Sequence, residues 1–150
     1  MKSEPDVYSI DHLAAEKNKT DYWDGIRNYQ ARNFIRDDMK KGDLAFFYHS
    51  NCDKPGIVGI IEIARSPYPD HTAFKSTEKY FDPKSDPNQP RWFMVDVRLK
   101  RKFLRSVTLK EIKGEQKLKN MRLVQRGNRL SILPLTKGEW DYILMMAGEG

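Results

Sequence analysis

The spacing of apolar positions changes several times along this chain. Over residues 9–17, Ile10, Leu13 and Ala14 share one side of a helix that Ser9 is placed to cap. Residues 28–40 repeat the pattern: Ala31, Phe34, Ile35 and Met39 recur at helical spacing after Asn28, and Gly42 marks the exit. Trp23–Arg27, between the two, is expected as an exposed turn. The period then shortens toward that of strands. LAFFYHS at 44–50 and IVGIIEIA at 57–64 read as two strands joined through NCDKPG, WFMVDVRL at 92–99 as a third, and RLSIL at 129–133 as a shorter one stopped by Pro134. Residues 66–90 hold five prolines and read as a long structured excursion with one helical turn near Ser76–Tyr80. Thr108–Glu111 and Thr136–Glu139 match the capping-box spacing, which predicts helices at 109–113 and 137–146; a further helical turn is expected around Leu118–Met121. The mixture indicates α+β, and several short strands favour a small barrel or strongly curved sheet.

Composition narrows the setting. A chain of 150 residues is read as one domain, 1–150, large enough to fold without a disulfide or a metal. Its single cysteine, Cys52, has no internal partner and suits a reducing compartment. No apolar run is long enough to cross a membrane, and MKSEPDVYSI lacks the hydrophobic segment of a signal peptide. A soluble, intracellular chain is expected; no sustained heptad or distinct interface segment sets its oligomeric state, and a monomer is favoured. The net charge of +6 is uneven: 13 Lys/Arg face two Glu between Arg98 and Lys137, leaving the remainder at −5. Such asymmetry suits a basic face for phosphates, and equally suits ordinary solvation.

The chemistry concentrates in WDGIRNYQARNFIR, residues 23–36, and in FFYHS at 46–50. Rings, amides, guanidinium groups, a histidine and a hydroxyl come together there without an obvious catalytic pair. Such a mixture suits holding a flat polar ligand: an amide reads two edges of a base, and stacking on an aromatic face contributes roughly 1–3 kcal/mol. Trp23 is a stacking candidate that a core would also accommodate. Asn28 is either a base reader or a helix cap. Arg32 either approaches the same mouth or pairs with an acid. His49 and Ser50 sit at a strand end, but neighbouring strand residues point to opposite faces, and no G-x-S-x-G turn supports a serine nucleophile. One cysteine and three histidines without ligand spacing predict no metal, and no Gly-rich phosphate cradle or cofactor motif is present.

Taken together, KSEPDVYSI, WDGIRNYQARNFIR, FFYHSN, PGIVGIIEI, YPDHTAF, YFDPKS, RWFMVDV and RLSILPLT resemble the EVE-domain family from Lys2 to Ile143. The resemblance implies a PUA-like α+β fold, a curved, barrel-like sheet with surrounding short helices. It also implies a non-catalytic module that recognises a modified base, above all a modified cytosine, in DNA or RNA. Carried over from the family, Ser3, Trp23, Asn28, Tyr29, His49 and Ser50 form the base pocket; Lys2, Arg27, Arg32 and Arg129 are expected to meet phosphates or form the pocket rim, with holding the local fold as the alternative role of Arg27 or Arg32. A small nucleotide- or base-modifying enzyme and a protein-interaction domain are the rival readings. The family typically carries a piece of strand before KSEP where this sequence has only Met1. Either the native beginning lies upstream, or a shortened first strand weakens barrel closure. The compact form and VTLKEIKGEQKLKNMRLV resemble bacterial, cytoplasmic members.

Overall fold

Phe46, Phe47 and Tyr48 are all buried, although consecutive strand residues face opposite ways. A strand that is apolar at every position must be covered on both faces, and that requirement organises the molecule. A computed structural model describes residues 1–149. Its five strands are β1 (Lys2–Ser3), β2 (Thr20–Trp23), β3 (Leu44–His49), β4 (Gly56–Pro69) and β5 (Phe93–Thr108). They form one mixed sheet in the order β1-β3-β4-β5-β2. β1 runs parallel to β3, with Lys2 opposite Tyr48 and Ser3 opposite His49, and the other pairings are antiparallel.

Each face of the sheet has its own apolar cluster. On one, Phe47, Ile61, Ile63, Val95 and Val97 pack with Ile10 and Leu13 of α1 (Ile10–Ala15) and Ala31 of α2 (Tyr29–Asn33). On the other, Phe46, Tyr48, Ile57, Ile60 and Val107 pack with Ile112 of α3 (Leu109–Lys113) and Ile143 of α4 (Lys137–Met146). Phe46 stacks on Trp140 at 3.8 Å between ring centroids. Ser9, Thr108 and Thr136 each close a capping box, satisfying N–H groups that would otherwise be orphaned at the helix starts.

The expected barrel does not form. β1 and β2 lie at opposite ends of the strand order and share no ladder, so the sheet stays open. Two and four residues offer too little backbone to close the seam. The bending comes instead from register shifts along the β3–β4 and β4–β5 pairs.

Other elements differ in kind or extent. Residues 129–133 make no strand; the segment buries Ile132 and accepts one backbone hydrogen bond from Lys2 N–H at Ser131 O (2.8 Å). Trp23 ends an edge strand, not an exposed turn, and its ring meets Phe47 edge-on at 5.4 Å. The second helix leaves α geometry at Asn33 and widens into a π turn over Phe34–Asp38, where Met39 N–H reaches back to Phe34 O (3.1 Å). The helical turn of the excursion falls at His71–Phe74, capped by Asp70, instead of Ser76–Tyr80. β5 is twice the predicted length because its second half serves the α3–α4 face. No helix of the described residues is long and apolar enough to span a membrane.

Gly59 sits where α1 rests on the bent sheet. A Cβ there would lie 2.4 Å from Arg101 O and 2.5 Å from Ile10 Cδ1. Replacing Gly59 with Ala is expected to cost about 2 kcal/mol through overpacking. Urea denaturation should show a lower midpoint at an unchanged slope.

Candidate functional site

The open seam is a cavity of about 700 Å³. Lys2, Ser3 and Glu4 line it from the β1 side, with Ser50 just beyond β3. Asp21, Tyr22, Trp23, Asp24 and Gly25 line it from the β2 side. Val97 contributes from the sheet, Lys79 and Tyr80 from the excursion, and Arg129 and Ser131 from the loop before α4. A second cavity of about 740 Å³, beside β3 and Trp140, is lined mainly by apolar side chains, with Lys2, Asp38, Asp43, Ser131, Thr136 and Lys137 among them.

Side chains bridge the seam where backbone does not. Tyr8 OH donates to Asp21 Oδ2 (2.7 Å), and Tyr22 N–H donates to Asp21 Oδ1 (2.8 Å). Burial and the Asp21 carboxylate raise the proton affinity of the Tyr8 phenol, keeping it a donor. Ser3 Oγ donates to Tyr8 O (2.6 Å), and Ser50 N–H donates to Ser3 O (2.9 Å), fixing the opposite wall.

The wall formed by the WDGIR segment hangs on Asp70, which is 0% exposed. Its carboxylate accepts from Gly25 N–H (3.1 Å), Arg27 Nη1 (3.0 Å), Thr72 N–H (2.8 Å) and Thr72 Oγ1 (2.5 Å). Burial opposes the charge, but hydrogen bonds from Thr72, Gly25 and Arg27 outweigh it and hold the carboxyl below its ordinary range. Arg27 also donates through Nε and Nη2 to Tyr80 O (3.0 and 2.7 Å), tying the excursion to the wall. Gly25 adopts φ +78°, and a Cβ there would lie 2.6 Å from the Tyr80 ring, so only glycine lets that ring close the pocket.

Five of the ten residues expected at the site line this cavity: Lys2, Ser3, Trp23, Ser50 and Arg129. Trp23 is only 9% exposed, a core residue with one side open to the cavity. The other five are committed elsewhere. Arg27 is the clamp just described. Asn28 caps α2, its side-chain oxygen accepting from Ala31 N–H (3.1 Å). Tyr29 stacks on the buried Trp92 at 5.0 Å with Arg32 over the Tyr29 ring at 4.9 Å, a separate stack of which Tyr29 is the exposed ring. Arg32 is further held by Arg91 O (2.8 Å). His49 Nε2 accepts from Ile10 N–H (3.1 Å) and its ring faces Phe47, so the imidazole anchors α1 and does not form a pair with Ser50. Burial lowers its pKa, which keeps that acceptor neutral.

Tyr8, Asp21, Asp24, Lys79 and Tyr80 were missed by the sequence reading. Nothing marked Asp21 in the sequence, since Thr20–Trp23 is a four-residue run without apolar–polar alternation, too short to stand out as a strand. The basic stretch also changes meaning. Arg98 and Lys100 both pair with Glu62, Arg101 with Glu149 (2.7 Å), Lys102 with Asp11 (2.6 Å) and Arg105 with Glu111. Lys2, Lys79 and Arg129, at the cavity, make no ion pair among the described residues. No cluster of three or more His, Cys, Asp or Glu able to hold a metal occurs there either.

Removal of the Asp70 charge leaves Arg27 without its partner and frees the turn. Asp70→Asn is expected to cost about 3 kcal/mol near neutral pH, read by chemical denaturation. Because the folded carboxyl is depressed, its contribution is complete above the ordinary carboxylate range and fades as pH falls through the folded value. The wild-type advantage over Asp70→Asn should therefore shrink on acidification below about pH 4.

The model of the EVE domain matches residues 1–146. Thymocyte nuclear protein 1 from Gallus gallus is 46% identical, covering 99% of this chain and 68% of that protein; the Homo sapiens protein is 45% identical over 97% and 72%. Among solved structures, human THYN1 protein in complex with 5-methylcytosine containing DNA has a TM-score of 0.93 at 46% identity, covering 98% of this chain and 95% of that one. A Pseudomonas putida protein has a TM-score of 0.93 at 45% identity, covering 98% and 97%. The expectation of a cytoplasmic, bacterial chain is overturned here: the vertebrate relatives bear a nuclear protein's name and match as well as the Pseudomonas protein does.

Proposed function

This chain belongs to the EVE-domain family, and we propose that it binds DNA and takes an extruded 5-methylcytosine into the cavity between β1 and β2. The observation that carries the reading is a polar-rimmed cavity in the seam, flanked by Lys2, Lys79 and Arg129, in a chain so like the human protein crystallised with 5-methylcytosine containing DNA. A cavity of about 700 Å³ has ample room for one pyrimidine. Trp23 and Tyr80 supply aromatic surface and Val97 an apolar patch, which suit a methylated ring. The cations meet the flanking phosphates, giving affinity that is independent of sequence and sensitive to salt, while the cavity supplies selectivity. Recognition of this kind involves no covalent step.

The test is binding to matched oligonucleotides carrying cytosine or 5-methylcytosine, in DNA and in RNA, across a salt series. Trp23 is a poor probe, since removing a core ring costs roughly 3–5 kcal/mol of stability. Ser50→Phe instead places a ring in the cavity. It should abolish the preference for 5-methylcytosine and leave salt-dependent binding in place. Arg129→Ala should weaken binding to both oligonucleotides alike and reduce the salt slope by about one. An unaltered preference in Ser50→Phe would move the base site elsewhere, and tighter binding to RNA would change the carrier.

A further inference from the structure

We propose that Asp24 is the residue by which the cavity tells cytosine from thymine, its carboxylate accepting a hydrogen bond from the exocyclic N4 amino group of the base. The inference rests on the pocket reading above and deepens it.

Selecting on the 5-methyl group alone cannot identify 5-methylcytosine in DNA, because thymine carries the same methyl at the same position. The two rings differ at position 4, where cytosine presents an amino donor and thymine a carbonyl acceptor, and at N3, where cytosine accepts and thymine donates. A pocket that separates them needs an acceptor aimed at the amino group.

Three carboxylates line the cavity: Glu4, Asp21 and Asp24. Glu4 Oε1 accepts from Asn51 Nδ2 (3.2 Å). Both oxygens of Asp21 are occupied, one by Tyr8 OH and the other by Tyr22 N–H. Asp24 receives no hydrogen bond or ion pair from any other residue among those described, although it is partly buried. An acceptor left in this state is restored by a ligand that donates to it.

Its surroundings reinforce the point. Burial, followed by the nearby Asp70 charge, raises its proton affinity; its own backbone N–H and Arg27 act the other way. In either protonation state one oxygen remains an acceptor for the amino group, and the neutral acid also donates, which suits N3 of cytosine. Thymine meets the same oxygen with a carbonyl. Acceptor then faces acceptor, and neither regains the hydrogen bond it lost on leaving water. Ser50 and Ser131 line the same cavity and carry hydroxyls able to donate to the O2 edge.

The experiment uses single-stranded DNA of one sequence with a single variable nucleotide: 5-methylcytosine, cytosine, thymine, or 5-methylpyrimidin-2-one, which is 5-methylcytosine without its amino group. Binding of the full chain and of Asp24→Ala is followed by fluorescence anisotropy, and thermal melting confirms that the variant is folded. Wild type should bind 5-methylcytosine about tenfold or more tightly than thymine or the analogue. Asp24→Ala should bring all three within about threefold of one another by weakening the first, the signature of coupling between this carboxylate and that amino group. A folded Asp24→Ala that still discriminates as wild type does overturns the proposal. So does a wild type that binds the analogue as tightly as 5-methylcytosine, whatever the variant's stability. Failure of the methyl reading is separable: wild type would then bind cytosine and 5-methylcytosine equally while still rejecting thymine, and the Asp24 assignment would stand. Equal binding to all four bases would overturn both.

Discussion

A carboxylate shut off from water cannot remain charged unless the protein supplies donors, and Asp70 collects four from positions 25, 27 and 72. Satisfying that charge forces the exit of β2 against the excursion after β4. It sets the glycine turn at residue 25, aims Arg27 at the Tyr80 carbonyl and brings the Tyr80 ring over the turn. The cavity wall is a by-product of solving this one electrostatic problem. Arg27, which looks in sequence like a phosphate ligand, is consumed in the solution.

The sheet supplies the complementary constraint. Strands that are apolar on both faces need helices on both sides, and here α1 and α2 cover one face while α3 and α4 cover the other. With both faces occupied, the place left for a ligand is an edge. Two short edge strands that do not pair give the molecule its seam, and polar side chains such as Tyr8 and Asp21 line it, since a seam filled with apolar residues would have closed into core.

Much of this was legible in the sequence because it rests on local rules. Thr108 and Thr136 announced their helices through capping spacing, Ser9 through its place before the apolar side of Ile10 and Leu13, and the apolar runs at 44–50, 57–64 and 92–99 announced the central strands. What remained hidden depends on partners distant in the chain. β1 and β2 are strands only because β3 and β5 are beside them, and nothing within two or four residues signals it. The segment 129–133 has the composition of a strand but makes a single backbone hydrogen bond to β1, through Ser131 O, too little for a ladder. At the site, residue types were found more readily than roles. Asn28, His49 and Arg32 belong to the chemistry-rich motifs, yet a helix N-terminus, a backbone N–H and a carbonyl claimed them first. The first part of the basic stretch, residues 98–105, is claimed in a similar way, because acids at 11, 62, 111 and 149 converge on it only in three dimensions.

The tie between Arg27 and the Tyr80 carbonyl has a consequence for how specificity would be divided between protein and DNA. A wall held by two hydrogen bonds to one carbonyl, with its turn pinned by a buried charge, is already in place before any ligand arrives. The protein then spends little conformational entropy on association, and the deformation falls almost wholly on the nucleic acid. Discrimination would accordingly track the ease with which a base leaves its stack as well as the identity of the base. A rigid receptor of this kind favours nucleotides at mismatches, nicks and unpaired ends over the same nucleotide inside a regular duplex.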